Sequence, residues 1–231
     1  MLDRMSRSLM GMLARFSKRR SRANLYAWIE EALHDFGLLG PVRVVNIGAG
    51  GEVADLLARA GLAPLSIDVD PARKPDLVAD VEELSVLDDA SVDGVICIEV
   101  LEHVRHPHLA VQELYRIIKP GGVFVGSTPF LLGIHDQPVD YFRFTRHGLE
   151  MLFADFEQLS LRERNGYFAA TAVLLHRRFV AASTRERTAL LFFSPILMAM
   201  ICLLSLLDRA MPVSDGTTGY FFVFRKPGGA R

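Results

Sequence analysis

The stretch "VRVVNIGAGGEVADLLARAG", Val42 to Gly61, decides the fold. "VRVVNI" (42–47) is an apolar, β-branched run, too short for a helix and ended by glycines, so it predicts a buried strand. "EVADLLARA" (52–60) reads as a helix stopped at Gly61. Strand, glycine turn and helix in that order open a layered α/β sheet and place a ligand-binding edge at the turn. Gly48 and Gly50 let the chain turn tightly there, where a side chain would block an approaching ligand. Several nucleotide-bearing ligands use such turns, so the surroundings must choose among them.

Outward from this unit the pattern repeats. "PLSID" (64–68), "DLVAD" (76–80) and "VDGVICI" (92–98) read as short strands. "PHLAVQELYRIIK" (107–119) reads as a helix with Pro107 in its first turn and Pro120-Gly121-Gly122 closing it. "GVFVGSTP" (122–129) follows as a strand, and upstream a helix is expected over about 23–36. Alternating strands and helices predict a Rossmann-like, doubly wound, mostly parallel sheet. "FEQLSLRER" (156–164) and "GYFFVFRK" (219–226) supply two further strands, the last expected to be antiparallel.

The expected organisation is an N-terminal basic, amphipathic helical extension over 1–40, a main domain over 41–165 and 217–228, and an apolar helical insertion over 166–216. Residues 1–20 carry Met1, Leu2, Met5, Leu9, Met10, Leu13 and Phe16 at roughly helical spacing, with Arg and Ser filling much of the other side. Arg4, Arg7 and Arg15 interrupt the apolar residues, so a secretory signal is not expected. In the insertion, "TALLFFSPILMAMICLLSLL" (188–207) runs 20 residues without a charge, the length of a membrane span. If the strands on either side of it are neighbours, a single crossing would separate them. A second crossing by 166–183 would have to carry His176, Arg177 and Arg178. The segment therefore reads as a helical hairpin, interrupted by Pro195, that enters one leaflet or packs on protein, a homodimer partner included.

The chain has 231 residues and a net charge of −1, unevenly spread. Residues 1–23 hold seven Lys and Arg against one acid, which leaves the remainder at −7. A basic arm on an acidic body points to an anionic membrane surface, and no basic, aromatic-interleaved patch supports nucleic acid. Cys97 and Cys202 make neither a disulfide framework nor a zinc pair, which fits a cytoplasmic setting, peripheral or monotopic on the inner membrane face. His103, His106 and His108 are close in sequence, but His106 and His108 straddle a proline, so no metal site is expected.

Two observations narrow the ligand. A dinucleotide fingerprint requires a third glycine at position 53, which is Val53. Twenty residues after Gly48 stands Asp68, at the tip of the second predicted strand, where a carboxylate can accept bonds from ribose hydroxyls. Then "LVADVEELSVLDDASVDGVICIEVLEHV" puts Asp80 after the third strand and Glu99 after the fourth, and "LYRIIKPGG" (114–122) precedes the fifth. With these motifs the chain closely resembles the class I S-adenosylmethionine-dependent methyltransferases of the small-molecule type, strongly over Val42–Phe130 and more loosely to Lys226. The resemblance implies S-adenosylmethionine as cofactor. It puts Gly48 and Gly50 at the methionine and ribose end, Asp68 on the ribose, Asp80 near the adenine amino group and Glu99 beneath the cofactor. Asn46 stands where relatives commonly carry Asp or Glu, keeping an acceptor oxygen but not the charge.

The acceptor is expected beyond the fifth strand, in "STPFLLGIHDQPVDYFRFTRHGLEMLF" (127–153). His135, Asp140, Tyr141 and Arg143 are the candidate acceptor-binding residues, and His135 the candidate base, because an unperturbed imidazole titrates near neutral pH. The expected activity is methyl transfer to a small-molecule or lipid-linked acceptor at the cytoplasmic membrane face. Two rivals stay open: a cofactor-binding but inactive membrane adaptor, and a nicotinamide-dependent reductase.

Overall fold

The computed structural model describes residues 17–134, 139–180, 184–211 and 216–228, with 179–194 as backbone only. The amphipathic reading of 1–16 and the candidate base His135 lie outside the described residues.

The predicted sheet forms. Helix α1 (Leu25–Asp35) leads to β1 (Val44–Ile47), α2 (Gly51–Arg59), β2 (Leu65–Asp68) and the two-residue β3 (Leu77–Val78). Then come β4 (Val92–Ile98), α3 (Pro107–Ile117), β5 (Ile118–Pro129), α4 (Arg146–Leu152) and β6 (Glu157–Glu163). Two helices, α5 (Tyr167–Val180) and α6 (Thr184–Ala210), precede the last strand, β7 (Gly219–Arg225). The strand order is β3-β2-β1-β4-β5-β7-β6. The first five strands pair in parallel, with Val45 beside both Leu65 and Val95. Lys226 at the end of β7 bonds Gly121 and Gly122 at the start of β5, so β7 runs antiparallel to it. The order reverses between β1 and β4, and in open α/β sheets that switch point opens a crevice at the strands' carboxyl ends.

The continuous apolar runs reflect burial on both faces of the sheet. Val45, Ile47, Val95 and Cys97 point into one core with Leu114 and Phe124, while Val44, Ile96 and Ile98 point into the other. Leu25, Ile29 and Leu33 of α1 close that second core, and Trp28 packs on Phe221 with ring centroids 5.8 Å apart.

One expected turn is a strand. Pro120-Gly121-Gly122 does not separate α3 from β5 but lies inside β5, which begins at Ile118. Pairing with β4 jumps from Val92–Ile118 to Gly94–Val123, so the intervening residues bulge. Glycine suits the bulge for two reasons: Gly121 has φ +84°, and a Cβ on Gly122 would stand 2.8 Å from the Asp93 carbonyl oxygen.

The chain divides into two compact units, residues 24–130, 134–162 and 220–231 forming one, and 1–23, 131–133 and 163–219 the other. Within the second unit the ends of the insertion are tied together. Arg164 N donates to the Gly219 carbonyl (3.0 Å) and Thr218 N to Asn165 Oδ1 (2.9 Å). Asp208, near the end of α6, accepts from Ala169 N (3.0 Å) and so caps the start of α5 from a distance. Pro195 does not end α6, which runs through it. A proline removes one helical hydrogen bond, and the neighbouring turns retain theirs. Among the described residues no helix is long and apolar enough to cross a membrane.

Candidate functional site

The site is assembled at the carboxyl ends of β1, β2 and β4. Gly48 (φ +92°), Gly50 (φ +75°) and Gly51 (φ +70°) all adopt the left-handed backbone that glycine takes without strain. A Cβ on Gly48 would press on Val100 at 2.9 Å, whereas a Cβ on Gly50 would project into open space. Gly48 is thus required by the protein's own packing, and Gly50 by its backbone. Asn46 is buried beneath them and its Nδ2 donates to the Gly48 carbonyl at 2.6 Å. The amide therefore fastens the turn, a contact for which an ionised carboxylate has no proton.

Asp68 joins two strand ends. Its Oδ2 accepts from Ala49 N in the glycine turn (2.8 Å) and its Oδ1 from Asp70 N (2.9 Å). Each bond uses one lone-pair position, which leaves acceptor capacity for hydroxyl donors. Next to it Val69 is 68% exposed, an uncovered apolar side chain suited to the face of an aromatic base, and one the sequence reading missed. Asp80, after β3, is exposed and accepts from Glu82 N at 3.0 Å. Glu82 in turn holds His106 through its backbone N–H (2.9 Å) and ring Nδ1 (2.8 Å).

Glu99, directly after β4, has φ +57°, a rare backbone for a non-glycine residue and one that gathers at functional sites. Its N–H donates to the Ser127 carbonyl on β5 (2.8 Å), which holds the strained residue at the strand edge. The next residues, Leu101–His103, form a short 3-10 turn, and the candidate acceptor segment docks on it. Tyr141 N (2.7 Å) and Phe142 N (3.2 Å) both donate to the Glu102 carbonyl, and His103 Nδ1 donates to the Val139 carbonyl (2.6 Å). The structure thus brings Asp140, Tyr141 and Arg143 to the end of β4, beside Glu99. Glu102 and His103 form the seat that sequence reasoning passed over; their place in "EVLEHV" was the available signal.

Charge in this cluster is paired. Arg143 grips Asp140 through both guanidinium nitrogens at 2.5 Å, and the Asp140 side chain is almost wholly buried. That bond, with the nearby charges of Glu102 and Glu99, raises the Arg143 pKa above its ordinary value. The Tyr141 hydroxyl pairs with Arg105, which likewise raises the arginine's pKa. Tyr141 and Phe142 remain partly exposed, and Phe142 stacks on Phe144 with centroids 5.5 Å apart. Cys97 is buried inside β4, and burial, reinforced by the Glu102 charge, pushes its thiol pKa upward, away from nucleophilic use. Among the described residues no group of three His, Cys, Asp or Glu is placed to hold a metal ion.

An open glycine turn, a carboxylate with acceptor capacity beside an uncovered apolar side chain, and a polar seat beyond the next strand fit an adenosine-bearing cofactor. Residues 45–126 match the family model described as "Methyltransferase domain". This region is a class I S-adenosylmethionine-dependent methyltransferase domain, and S-adenosylmethionine is the cofactor of that class. The chain is 37% identical over 102 residues to a ubiquinone biosynthesis O-methyltransferase from Paracidovorax citrulli, which is 37% of this chain and 43% of that protein. The chain thus spans less than half the length of the curated relatives it matches. In fold it is similar to a putative sarcosine dimethylglycine methyltransferase from Galdieria sulphuraria, with TM-score 0.58, 17% identity, and 89% and 85% of the two chains covered. It is as similar to the [4+2]-cyclase SpnF, with TM-score 0.58, 17% identity, and 87% and 81% covered. These two likenesses carry the fold alone, since one fold hosts many chemistries.

Proposed function

We propose that this protein transfers the methyl group of S-adenosylmethionine to a small-molecule or lipid-linked acceptor at the cytoplasmic face of a membrane. The observation that carries the reading is a pair of contacts at the carboxyl ends of neighbouring strands. Asp68 is fastened to the glycine turn through Ala49, and the 139–144 segment is fastened to the end of β4 through Glu102. The candidate cofactor residues and the candidate acceptor residues border one crevice in this reading.

In this reading Gly48 and Gly50 admit the cofactor's methionine and ribose end, Asp68 accepts from the ribose hydroxyls, and Asp80 and Val69 border the adenine. Glu99 lies under the sulfonium end. When bound, the cofactor supplies an electrophilic methyl group, and the chain's task is to hold the acceptor close and in line with it. Tyr141 and Phe142 offer an aromatic surface for an apolar acceptor, and Asp140 with Arg143 stiffens the segment that presents them. His135 is the proposed base where the acceptor must lose a proton.

Val53 weighs against the nicotinamide reading: it packs on the core behind α2, where a dinucleotide fingerprint has a third glycine. Calorimetry with S-adenosylmethionine, S-adenosylhomocysteine and NAD on the purified protein tests the cofactor. Label transfer from methyl-labelled cofactor into lipid extracts then tests the activity. Binding of the first two and not of NAD is expected. Binding of NAD alone would overturn the reading, and cofactor binding without transfer to any extract would leave the inactive adaptor as the better account.

A further inference from the structure

We propose that α6 is a membrane-docking helix, whose exposed face beds into the headgroup layer of an anionic bilayer with its axis along the surface. From Pro195 to Leu207 the helix carries no charged residue. One side of it is spent on the protein: Ile201 is buried, Asp208 caps α5, and Ser205 is bonded by Arg20. The other side is solvent-exposed and apolar. Ile196 is 68% exposed, Leu203 55% and Leu206 61%, with Met200 among them at 40%. The spacing 196, 200, 203, 206 places these side chains on one stripe of a helix. Soluble proteins seldom leave such a contiguous stripe uncovered.

The net charge of the unit that carries the stripe selects its occupant. The compact unit holding α6 has thirteen Lys and Arg against five Asp and Glu, a net of +8, while the other unit is −9. An apolar helix face in a basic unit is the composition that binds anionic lipid surfaces, where acyl contact and headgroup attraction add. A second copy of this chain is a poor match. A two-fold dimer through this face would set the same patch against itself and bring two units of +8 together. Crossing the bilayer is also a poor match. Residue 164 is bonded to residue 219, so the hairpin must return to the side it left. Its first arm, α5, has 14 residues, about 21 Å of helix against a hydrocarbon core of about 30 Å.

The test is co-sedimentation of the full chain with vesicles of phosphatidylcholine alone and of phosphatidylcholine mixed with phosphatidylglycerol. The wild type should bind the mixed vesicles more tightly and stay partly bound in high salt. The double variant Met200→Glu, Leu203→Glu should bind about tenfold or more weakly, because glutamate on that stripe meets both acyl chains and anionic headgroups. Calorimetry with S-adenosylhomocysteine should give the same affinity for both proteins, so loss of the docking surface is distinguished from loss of the fold or of the cofactor reading. Cys202 is exposed on α6 and Cys97 is buried, so a thiol-reactive, polarity-sensitive dye placed on Cys202 reports insertion directly. A dye spectrum that shifts to the blue on mixed vesicles is expected. Three outcomes would overturn the proposal: vesicle binding fully released by salt and insensitive to the double variant, no vesicle binding at all, or a dimer in solution that the double variant dissociates.

Discussion

The backbone N–H of Tyr141 donates to the carbonyl oxygen of Glu102 at 2.7 Å, and this bond sets the 139–144 segment on the turn that follows β4. The residue before Tyr141 is Asp140, almost wholly buried and bonded twice by Arg143. Asp140→Asn keeps the shape and removes the charge that neutralises Arg143. Stability in urea should fall by about 1–3 kcal/mol, and the KM for the acceptor should rise, while S-adenosylhomocysteine affinity stays within about twofold of wild type. Unchanged stability would mean the pair carries no structural weight. A collapse of cofactor affinity would move Asp140 into the cofactor site.

Asp68 is predicted to act on the cofactor twice, by accepting from the ribose and by holding Ala49. Asp68→Ala should weaken S-adenosylmethionine and S-adenosylhomocysteine binding by about tenfold or more, equivalent to about 1.4 kcal/mol or above. Calorimetry reads this directly. Wild-type affinity in the variant would count against the ribose contact.

Asn46→Asp tests whether the uncharged amide beneath the glycine turn is a handicap or a fitted part. With Nδ2 2.6 Å from the Gly48 carbonyl, an ionised aspartate would set two oxygens against each other in a buried place. The variant should melt lower and bind cofactor more weakly than the wild type, as thermal unfolding and calorimetry would show. Tighter binding in the variant would instead mean that the missing charge is the limitation.

Arg116, the arginine of "LYRIIKPGG", has a structural role. It donates to Glu113, to Asp89, and to the carbonyls of Leu84 and Leu87, and Glu113 accepts from Leu84 N at 2.8 Å. Arg116→Ala should cost about 1–3 kcal/mol, because buried carbonyls and a paired carboxylate lose their donor. The Arg116 hydrogen bond lowers the Glu113 pKa below its ordinary value. The contribution of this pair is therefore fully present above the unfolded-state pKa of about 4.3 and is lost as pH falls through the lower folded-state pKa. Urea midpoints from pH 7 to pH 3 should drop less steeply for Glu113→Gln than for wild type. Parallel curves would remove this pair from the acid response.

Much of the fold was legible because it is written in local pattern. The apolar runs at 44–47 and 92–98, each flanked by turn residues, became strands buried on both faces, and positive φ at Gly48 and Gly50 was implied by glycine at those places. Less was legible in the site. Asp68 could be read from its distance to Gly48, but its bond to Ala49 could not, nor could Val69 be told from a core valine. In the sequence Pro120-Gly121-Gly122 reads as the end of a helix. The residues meet that description locally, and only the pairing of β5 with β4 on either side of them and their bonds to Lys226 make them a bulged strand.

By itself, then, the sequence determined the order of strands and helices, the place of the glycine turn and the identity of the acids beside it, since each depends on neighbours a few residues away. Tertiary structure alone decided which side chains meet across long separations. It seated 139–144 on the Glu102 turn, capped α5 with Asp208, and chose which face of an evenly apolar α6 is buried, with Ile201 on it, and which is left exposed. The reason is physical: a run such as "ILMAMICLLSLL" carries almost no amphipathic signal, so only packing could distinguish its two sides.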